Sequence, residues 1–334
     1  MKKLSYLLML FGAFAFASCE NGSEAVNYDV DEETALEESR GGDYSYDGEV
    51  AEDAQEGTEE SVIEEPEVEE SEVEEPVVDE ETTGSSYTEN ANGLDIKMVY
   101  VEGGRFTMGA SDESLKGRAL PDEFPVHNVE LSSFYIGECE VTQEQWYKVM
   151  GTTLTEQGEG SEDYDDYGVG NNRPMYYVNW AEANKFCEKL SNLTGKTYTL
   201  PTEAQWEYAA RGGKHSNGYT YSGSNNLRDV AWYSVNTLGQ EYYAHEVKTK
   251  NANELGLYDM SGNVFEWCLD WYGKYSANDS ETVNPTGALT GTHRVLRGGS
   301  WNYVDRDCRV SYRSYQKPEG RYNIVGFRVV CTDV

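Results

Sequence analysis

The sequence has little positive charge. It carries 26 Lys and Arg against 61 Asp and Glu, a formal net charge of −35. Residues 20–90 alone hold 28 acids and one Arg, a net charge of −27. Subtracting that stretch and the +2 of Lys2 and Lys3 leaves about −10 for residues 91–334. Nucleic-acid binding depends on cationic side chains that displace counterions from phosphates. We therefore expect no nucleic-acid partner.

Large apolar residues are scarce in the acidic stretch, and all seven Trp follow residue 91. Such a segment buries too little surface to offset the entropy of ordering. Val alternates with Glu in places, but a strand there would have no covering face and would align like charges. The composition predicts a disordered, extended tether over residues 20–92 and one large folded domain over residues 93–334.

The N-terminus lacks an apolar run long enough to span a bilayer. Residues 1–19, MKKLSYLLMLFGAFAFASC, combine a Lys pair, a short apolar run and small residues before Cys19. This pattern is typical of a secretory signal. The last four residues resemble a bacterial lipobox, although Phe16 is unusual where an aliphatic residue is common. The resemblance implies that Cys19 is lipidated and anchors an envelope protein, facing the periplasm or the outside; a plain secreted protein is the alternative.

The other five cysteines have no CxxC spacing, and none lies near a His at ligand spacing. A structural zinc site is therefore not expected. An odd number cannot all pair within one molecule, so at least one thiol stays free even in an oxidising compartment.

Three segments have the sequence signals of a helix. Each has an N-cap residue, an acid or amide three places on, and a Gly stop. The pairs are Thr142 with Gln145, Asn179 with Glu182, and Thr202 with Gln205. One face of the second segment is apolar, with Trp180, Ala183, Phe186 and Leu190. Cys187 lies beside that face, which favours packing or a disulfide over chemistry.

The remaining segments predict short strands and long turns. Strands are expected within residues 97–110, 129–141 and 325–334, and DMSGN, NPTG and RGGS are turn sequences. Residues 152–172 show no apolar period and are predicted to form a surface insertion. The mixture indicates an α+β domain with much irregular structure.

Several blocks, in order, resemble the sulfatase-modifying-factor family of formylglycine-generating enzymes and their relatives. They include MVYVEGGRFTMGA, FPVHNVELSSFYIGECEVTQEQW, TYTLPTEAQWEYAARGG, NELGLYDMSGNVFEWCLDWY, RVLRGGSWN and IVGFRVV. The resemblance runs from about residue 96 to 331. It implies a C-type-lectin-like fold, and bound calcium in the enzymes.

In the segment DMSGNVFEW, two acids flank a Gly-containing turn. This spacing suits a hard cation with oxygen ligands. The resemblance maps calcium ligands onto Asp259, Gly262, Val264 and Glu266, the middle two through backbone carbonyls. The alternative is that Asp259 caps a turn and Glu266 is solvated.

The family's active centre follows a GGS turn, with one Cys three residues after the Ser and another five further on, which together bind Cu(I). Here these positions are Tyr303 and Cys308, after Ser300. A phenol oxygen is a poor ligand for soft Cu(I). The family's active-site Trp is replaced by Phe265. We therefore expect no Cu(I) site.

Cys308 stands among arginines, which would favour a thiolate if they faced the sulfur. They are Arg297, Arg306, Arg309 and Arg313. The alternative, which we favour, is a buried thiol or a disulfide to a strand such as the one carrying Cys268. The arginines would then stack on aromatic rings or pair with acids.

The leading hypothesis is an envelope lipoprotein whose calcium-bound domain binds an exported protein or a glycan, or acts in envelope assembly. The alternative is an active formylglycine-generating enzyme that oxidises a cysteine or serine of exported sulfatases. A different oxidase on the same scaffold has only fold analogy behind it. The four histidines are scattered, and no H-x-x-x-H run supports an iron site.

Overall fold

The computed structural model describes residues 84–110, 115, 117–159, 168–237, 242–276 and 282–334. The chain divides into two units, Met1–Glu74 and Glu75–Val334, and every described residue belongs to the second. The signal segment, Cys19 and most of the predicted tether lie outside the described residues. The first strand, Tyr87–Glu89, already pairs with the next one, so ordered structure begins before the expected boundary at 93.

The three predicted helices form, each with the predicted capping box. They are α1 (Gln143–Met150), α3 (Trp180–Thr194) and α4 (Glu203–Ala210). Left-handed Gly151 and Gly195 end the first two, as glycine does at the position after a helix. The short helices are α2 (Leu154–Gly158), α5 (Leu227–Val230) and α6 (Ser234–Thr237).

The prediction of a surface insertion over residues 152–172 is wrong for its first part. Thr153 caps α2, and Leu154 is 3% exposed within the main core. A single apolar side chain gives no period, so its burial follows from partners elsewhere in the chain.

The described strands form three sheets. In chain order they are β1 (Tyr87–Glu89), β2 (Ile96–Val101), β3 (Gly104–Met108), β4 (His127–Leu131), β5 (Phe134–Gly137), β6 (Tyr198–Thr199), β7 (Phe265–Trp271), β8 (Thr282–Val283), β9 (Arg294–Arg297), β10 (Ser314–Gln316), β11 (Val325–Gly326) and β12 (Val330–Cys331). The sheet orders are β1-β2-β5-β12-β6, β10-β9-β7-β11 and β3-β4-β8. All three segments predicted to hold strands do so, and the domain is α+β as expected.

Helices α1 and α3 contribute to the larger of two apolar cores. Trp146 of α1 stacks on Phe186 of α3 with ring centroids 5.9 Å apart, and both rings meet Phe327 edge-on. The second core lies around α4 and the centres of β2, β5 and β7. A small third cluster, which includes Cys308, forms beside α5.

Candidate functional site

The GGS turn connects β9 to a short 3-10 helix, Asp305–Cys308. Gly298 and Gly299 have φ values of +97° and +78°, which favour glycine. A Cβ at Gly299 would lie 2.7 Å from the Cys308 sulfur, so the turn packs directly on the thiol. Ser300 is fully buried, and its hydroxyl donates to Asn302 Oδ1 at 2.8 Å.

Cys308 is sealed inside the protein. It is 0% exposed and packs with Tyr221, Leu227, Val230, Ala231 and Tyr233. Burial raises the pKa of the thiol, and the charges of Asp307 and Asp305 raise it further, against weaker main-chain donors. The neutral thiol is therefore the stable form.

Of the two possibilities left open for Cys308, a buried thiol or a disulfide to a strand such as the one carrying Cys268, the structure shows the buried thiol. Cys268 packs in the second core with α4 and β12, and Cys308 in the third cluster. Both are free thiols, as are the other cysteines within the described ranges. The alternative of a buried thiol is the one observed.

The neighbouring arginines do not activate Cys308, because each is held by a carboxylate. Arg309 forms two bonds with Glu123, of 2.8 and 2.7 Å, and Arg313 forms two with Glu203, of 2.6 and 2.8 Å. Arg297 pairs with Glu207. Arg306, at the surface, pairs with Asp307 at 3.1 Å. The prediction that these arginines pair with surplus acids is confirmed; the buried pairs join the GGS segment to α4 and to the 3-10 helix Pro121–Glu123.

Tyr303 and Phe265 occupy the remaining two family positions and touch each other. Their ring centroids are 4.8 Å apart at 88°, an edge-to-face contact. Phe265 is 1% exposed, and Tyr303 packs against the main core. Burial, then the Asp307 charge, raises the pKa of Tyr303, which keeps the phenol protonated. The pair is an aromatic wall beside the GGS turn.

The predicted calcium turn begins at Asp259, a buried carboxylate with φ of +58°. Its Oδ2 accepts the backbone N–H of Lys248 at 2.8 Å. Its Oδ1 is buried and accepts no hydrogen bond from the part of the chain that the structure describes. Gly262, at φ +82°, turns the chain so closely against Trp232 that a Cβ would lie 2.3 Å from the Trp232 carbonyl oxygen.

Glu266 is buried, so the alternative that this carboxylate is solvated is wrong. Its two oxygens accept from Arg328 at 2.7 Å each, and Oε2 also accepts from Trp206 Nε1 at 2.8 Å. A third buried acid, Glu140, accepts from Val264 N at 3.0 Å and from Asn263 Nδ2 at 2.7 Å. Glu140 cannot be identified from the sequence, because nothing at its own position distinguishes it.

Of these three buried carboxylates, Glu266 alone pairs with the buried Arg328, so Asp259 and Glu140 have no ion pair within the described residues. Burial raises the pKa of Asp259 to about 6, and Glu266 adds to the rise. Burial and both neighbouring acids raise the pKa of Glu140 well above its usual range. The donor set fits a hard cation that takes the orphaned Asp259 Oδ1 together with turn carbonyls. Within the described residues, no three acidic, His or Cys side chains are grouped closely enough to hold a metal by themselves.

Comparison with known proteins identifies relatives along the whole folded part. Residues 85–333 match the model of the sulfatase-modifying factor enzyme 1-like domain. The chaperone protein LppX of Paenibacillus barcinonensis is 33% identical over 280 residues, covering 70% of this chain and 88% of the relative. The formylglycine-generating enzyme of Streptomyces coelicolor is 32% identical over 282 residues, with 69% and 87% covered.

Solved structures give the same result. Treponema denticola variable protein 1 superimposes with a TM-score of 0.64 at 32% identity, over 75% of this chain and 99% of that one. PvdO of Pseudomonas aeruginosa gives 0.62 at 26% identity, over 75% and 98%. The predicted C-type-lectin-like fold is confirmed.

The match to a Chlamydia trachomatis protein kinase, Pkn1, spans only 38% of that protein. No helix in the described ranges is long and apolar enough to cross a membrane.

Proposed function

Since this chain belongs to the sulfatase-modifying factor enzyme 1-like family, we propose that it is an envelope lipoprotein, anchored through Cys19, whose domain binds a partner. The partner class is an exported protein or a glycan, and the role is binding or envelope assembly. The observation that favours binding over copper oxidation is the buried Cys308, a neutral thiol with no exposed surface.

The residues present do not fit a copper centre. A Cu(I) ion bound by two sulfurs needs two thiolates within reach of each other. Here one position holds a protonated phenol, Tyr303, packed edge-on against Phe265. The other thiol is enclosed by apolar side chains, and burial raises its pKa and so favours the neutral form. This argues against oxidation of a substrate cysteine through a metal at these positions.

Calcium belongs to the proposal as a structural ion. Asp259 would supply its free Oδ1, Glu266 a carboxylate oxygen, and Gly262 and Val264 their carbonyls. The ion would balance the surplus charge of the buried acids and fix the turn that packs against the GGS segment, where Gly262 N donates to Gly298 O at 2.7 Å.

The relatives support a binding role without fixing the partner. One similar protein is named a chaperone, which is compatible with a role in assembly. The similarity to the Streptomyces enzyme, together with the retained Ser300 and Cys308, favours the second candidate, an active formylglycine-generating enzyme.

Copper binding and peptide oxidation separate the two candidates. The full chain, reduced and loaded with Cu(I), is incubated with a Cys-x-Pro-x-Arg peptide and O₂, and the product is followed by mass spectrometry. We expect no tight Cu(I) binding and no catalytic turnover; Tyr303→Cys should bind Cu(I) more tightly than the wild type. Copper-dependent turnover by the wild type that disappears in Cys308→Ser would establish the enzyme instead.

A further inference from the structure

A cleft of about 210 Å³ opens between the end of β7, the start of α4 and the segments 273–276 and 285–288. It lies outside the GGS turn and the calcium turn. Its polar lining comes mainly from Asp270, Glu203, Arg313, His127 and Tyr275. Apolar lining comes from Met108, Ala204, Trp271, Pro285 and Ala288. The cleft thus combines buried charge with a wall suited to methylene groups.

Asp270 is the acid of this cleft that has no cationic partner. It is 3% exposed, and its Oδ2 accepts the backbone N–H of Glu203 at 2.9 Å. It forms no ion pair within the described part of the chain, although buried carboxylates are normally paired. Gly287 lies against its other oxygen, since a Cβ there would be 2.6 Å from Oδ1. Gly287, without a side chain, makes room for this carboxylate; Arg313 and Arg294 lie near enough to interact with it electrostatically, but neither forms an ion pair with it in the described residues.

Two cations line the cleft: Lys274 is exposed at the rim, and the buried Arg313 is bound to other acceptors. Arg313 donates hydrogen bonds from Nε and Nη2 to the Glu203 carboxylate. Its Nη1 donates to the carbonyls of Asp122 and Gly273, both at 3.0 Å. Tyr275 donates to the same Glu203 carboxylate at 3.1 Å. Arg313 therefore neutralises Glu203, and four of its five N–H groups are already bound to Glu203, Asp122 and Gly273.

We infer that this cleft binds the ammonium group of an aliphatic amine, either a free amine or a lysine side chain, with the Asp270 carboxylate as its ion partner. An ammonium supplies the missing counter-charge and up to three hydrogen bonds. The attached methylene chain lies along Met108, Trp271 and Ala288, as the stems of lysine side chains lie along apolar surfaces. The inference rests on the proposed binding function and specifies the chemistry of its ligand.

The pH dependence follows from the groups that face Asp270. They are Glu203, Arg313, Arg294 of the paired strand β9, the His127 ring, the Tyr275 hydroxyl and, at the exposed rim, Lys274. Burial, then the Glu203 charge, raises the pKa of Asp270 to about 7. The carboxylate that pairs with an ammonium therefore forms as the pH rises through neutrality, so affinity should increase between pH 6 and 8. The Asp270→Asn variant should lose this pH dependence.

The test is calorimetric titration of the full chain at pH 8 with two amine probes, n-butylamine and Nα-acetyl-lysine methylamide. Their neutral counterparts, 1-butanol and the Nε-acetylated lysine derivative, control for the apolar wall. Asp270→Asn keeps the acceptor for Glu203 N and removes the charge, and should weaken amine binding by about tenfold or more. Asp95→Asn, an exposed acid away from the cleft, should leave binding unchanged.

Each outcome of the titration either supports or overturns the inference. Binding of both amines, lost in Asp270→Asn, supports a free-amine ligand; binding of the lysine derivative alone supports a protein side chain. Lys274→Gln removes a like charge at the rim and should strengthen binding of either amine. The inference is overturned if neither amine binds at millimolar concentration, or if Asp270→Asn binds as the wild type does. The peptide-oxidation assay tests the proposed function independently of the amine titration. Failure of one test can therefore be distinguished from failure of the other.

Discussion

At the scale of single residues, the arginine-rich surroundings of Cys308 are misleading without the positions of the acids. The partners Glu123, Glu203 and Glu207 lie about 90 to 190 residues away in the sequence. Sequence proximity suggested that the guanidiniums act on the sulfur, whereas the fold assigns them to carboxylates. Glu140 and Asp270 were missed for the same reason, because their environments are made by distant segments.

A first prediction concerns thiol reactivity. In the folded protein Cys308 and Cys268 should resist alkylation, since both are fully buried and burial raises the pKa of both thiols. After denaturation without reductant both should be alkylated, as read by mass spectrometry of their peptides. A requirement for reductant before labelling would show that they are bridged.

A second prediction concerns calcium. An ion that binds only the folded state raises its stability, by about 2.7 kcal/mol at a hundredfold excess over Kd. Excess Ca²⁺ should therefore raise Tm, chelator should lower it, and Asp259→Ala should remove most of the difference. Asp95→Ala, at the surface, serves as the control. Identical melting curves with and without chelator would remove calcium from the proposal.

At the scale of elements, the helices follow from local sequence because their caps act within one turn. The Asn179 side chain accepts a hydrogen bond from Glu182 N at 2.9 Å, and the Glu182 carboxylate accepts one from Asn179 N at 3.1 Å. Both partners lie within four residues, so the motif is visible in the sequence itself. The burial of Leu154 and the pairing of the strands depend on remote segments and could not be inferred in this way.

A third prediction tests such a cap. Asn179→Ala leaves the first turn of α3 without its acceptor and should lower the free energy of unfolding by about 1 kcal/mol. Asn179→Asp retains an oxygen acceptor and should cost much less. Denaturant unfolding of the two variants gives the comparison. Equal losses would show that the side-chain bond contributes nothing.

At the scale of the whole molecule, the family resemblance supplied the fold and periodicity did not. Short strands such as β11 and β12, of two residues each, carry no readable alternation. Their places in the sheets are set by pairing: β12 lies between β5 and β6, with Val330 opposite both Ile136 and Thr199. Ordered family motifs encode that topology when local patterns do not.

A fourth prediction follows from this placement. A chain ending at residue 328 lacks β12 and should fail to unfold cooperatively, because the strand that joins β6 to the rest of the five-stranded sheet is missing. A chain ending at residue 332 loses only the Asp333 acceptor for Thr197 N and should melt close to the full protein. Circular dichroism melts compare them. A cooperative transition in the shorter chain would show that the sheet closes without β12.

The same strand has a consequence for the kinetics of folding. Arg328, just before β12, reaches back 191 residues to the carbonyl of Gly137. Contacts of such separation slow folding, because a long loop must close before they contribute. Until β12 is in place, β5 and β6 each expose an unpaired edge, and such edges pair readily with other chains. Aggregation during refolding should therefore depend steeply on concentration and should fall when a peptide of residues 325–334 is added to fill the gap.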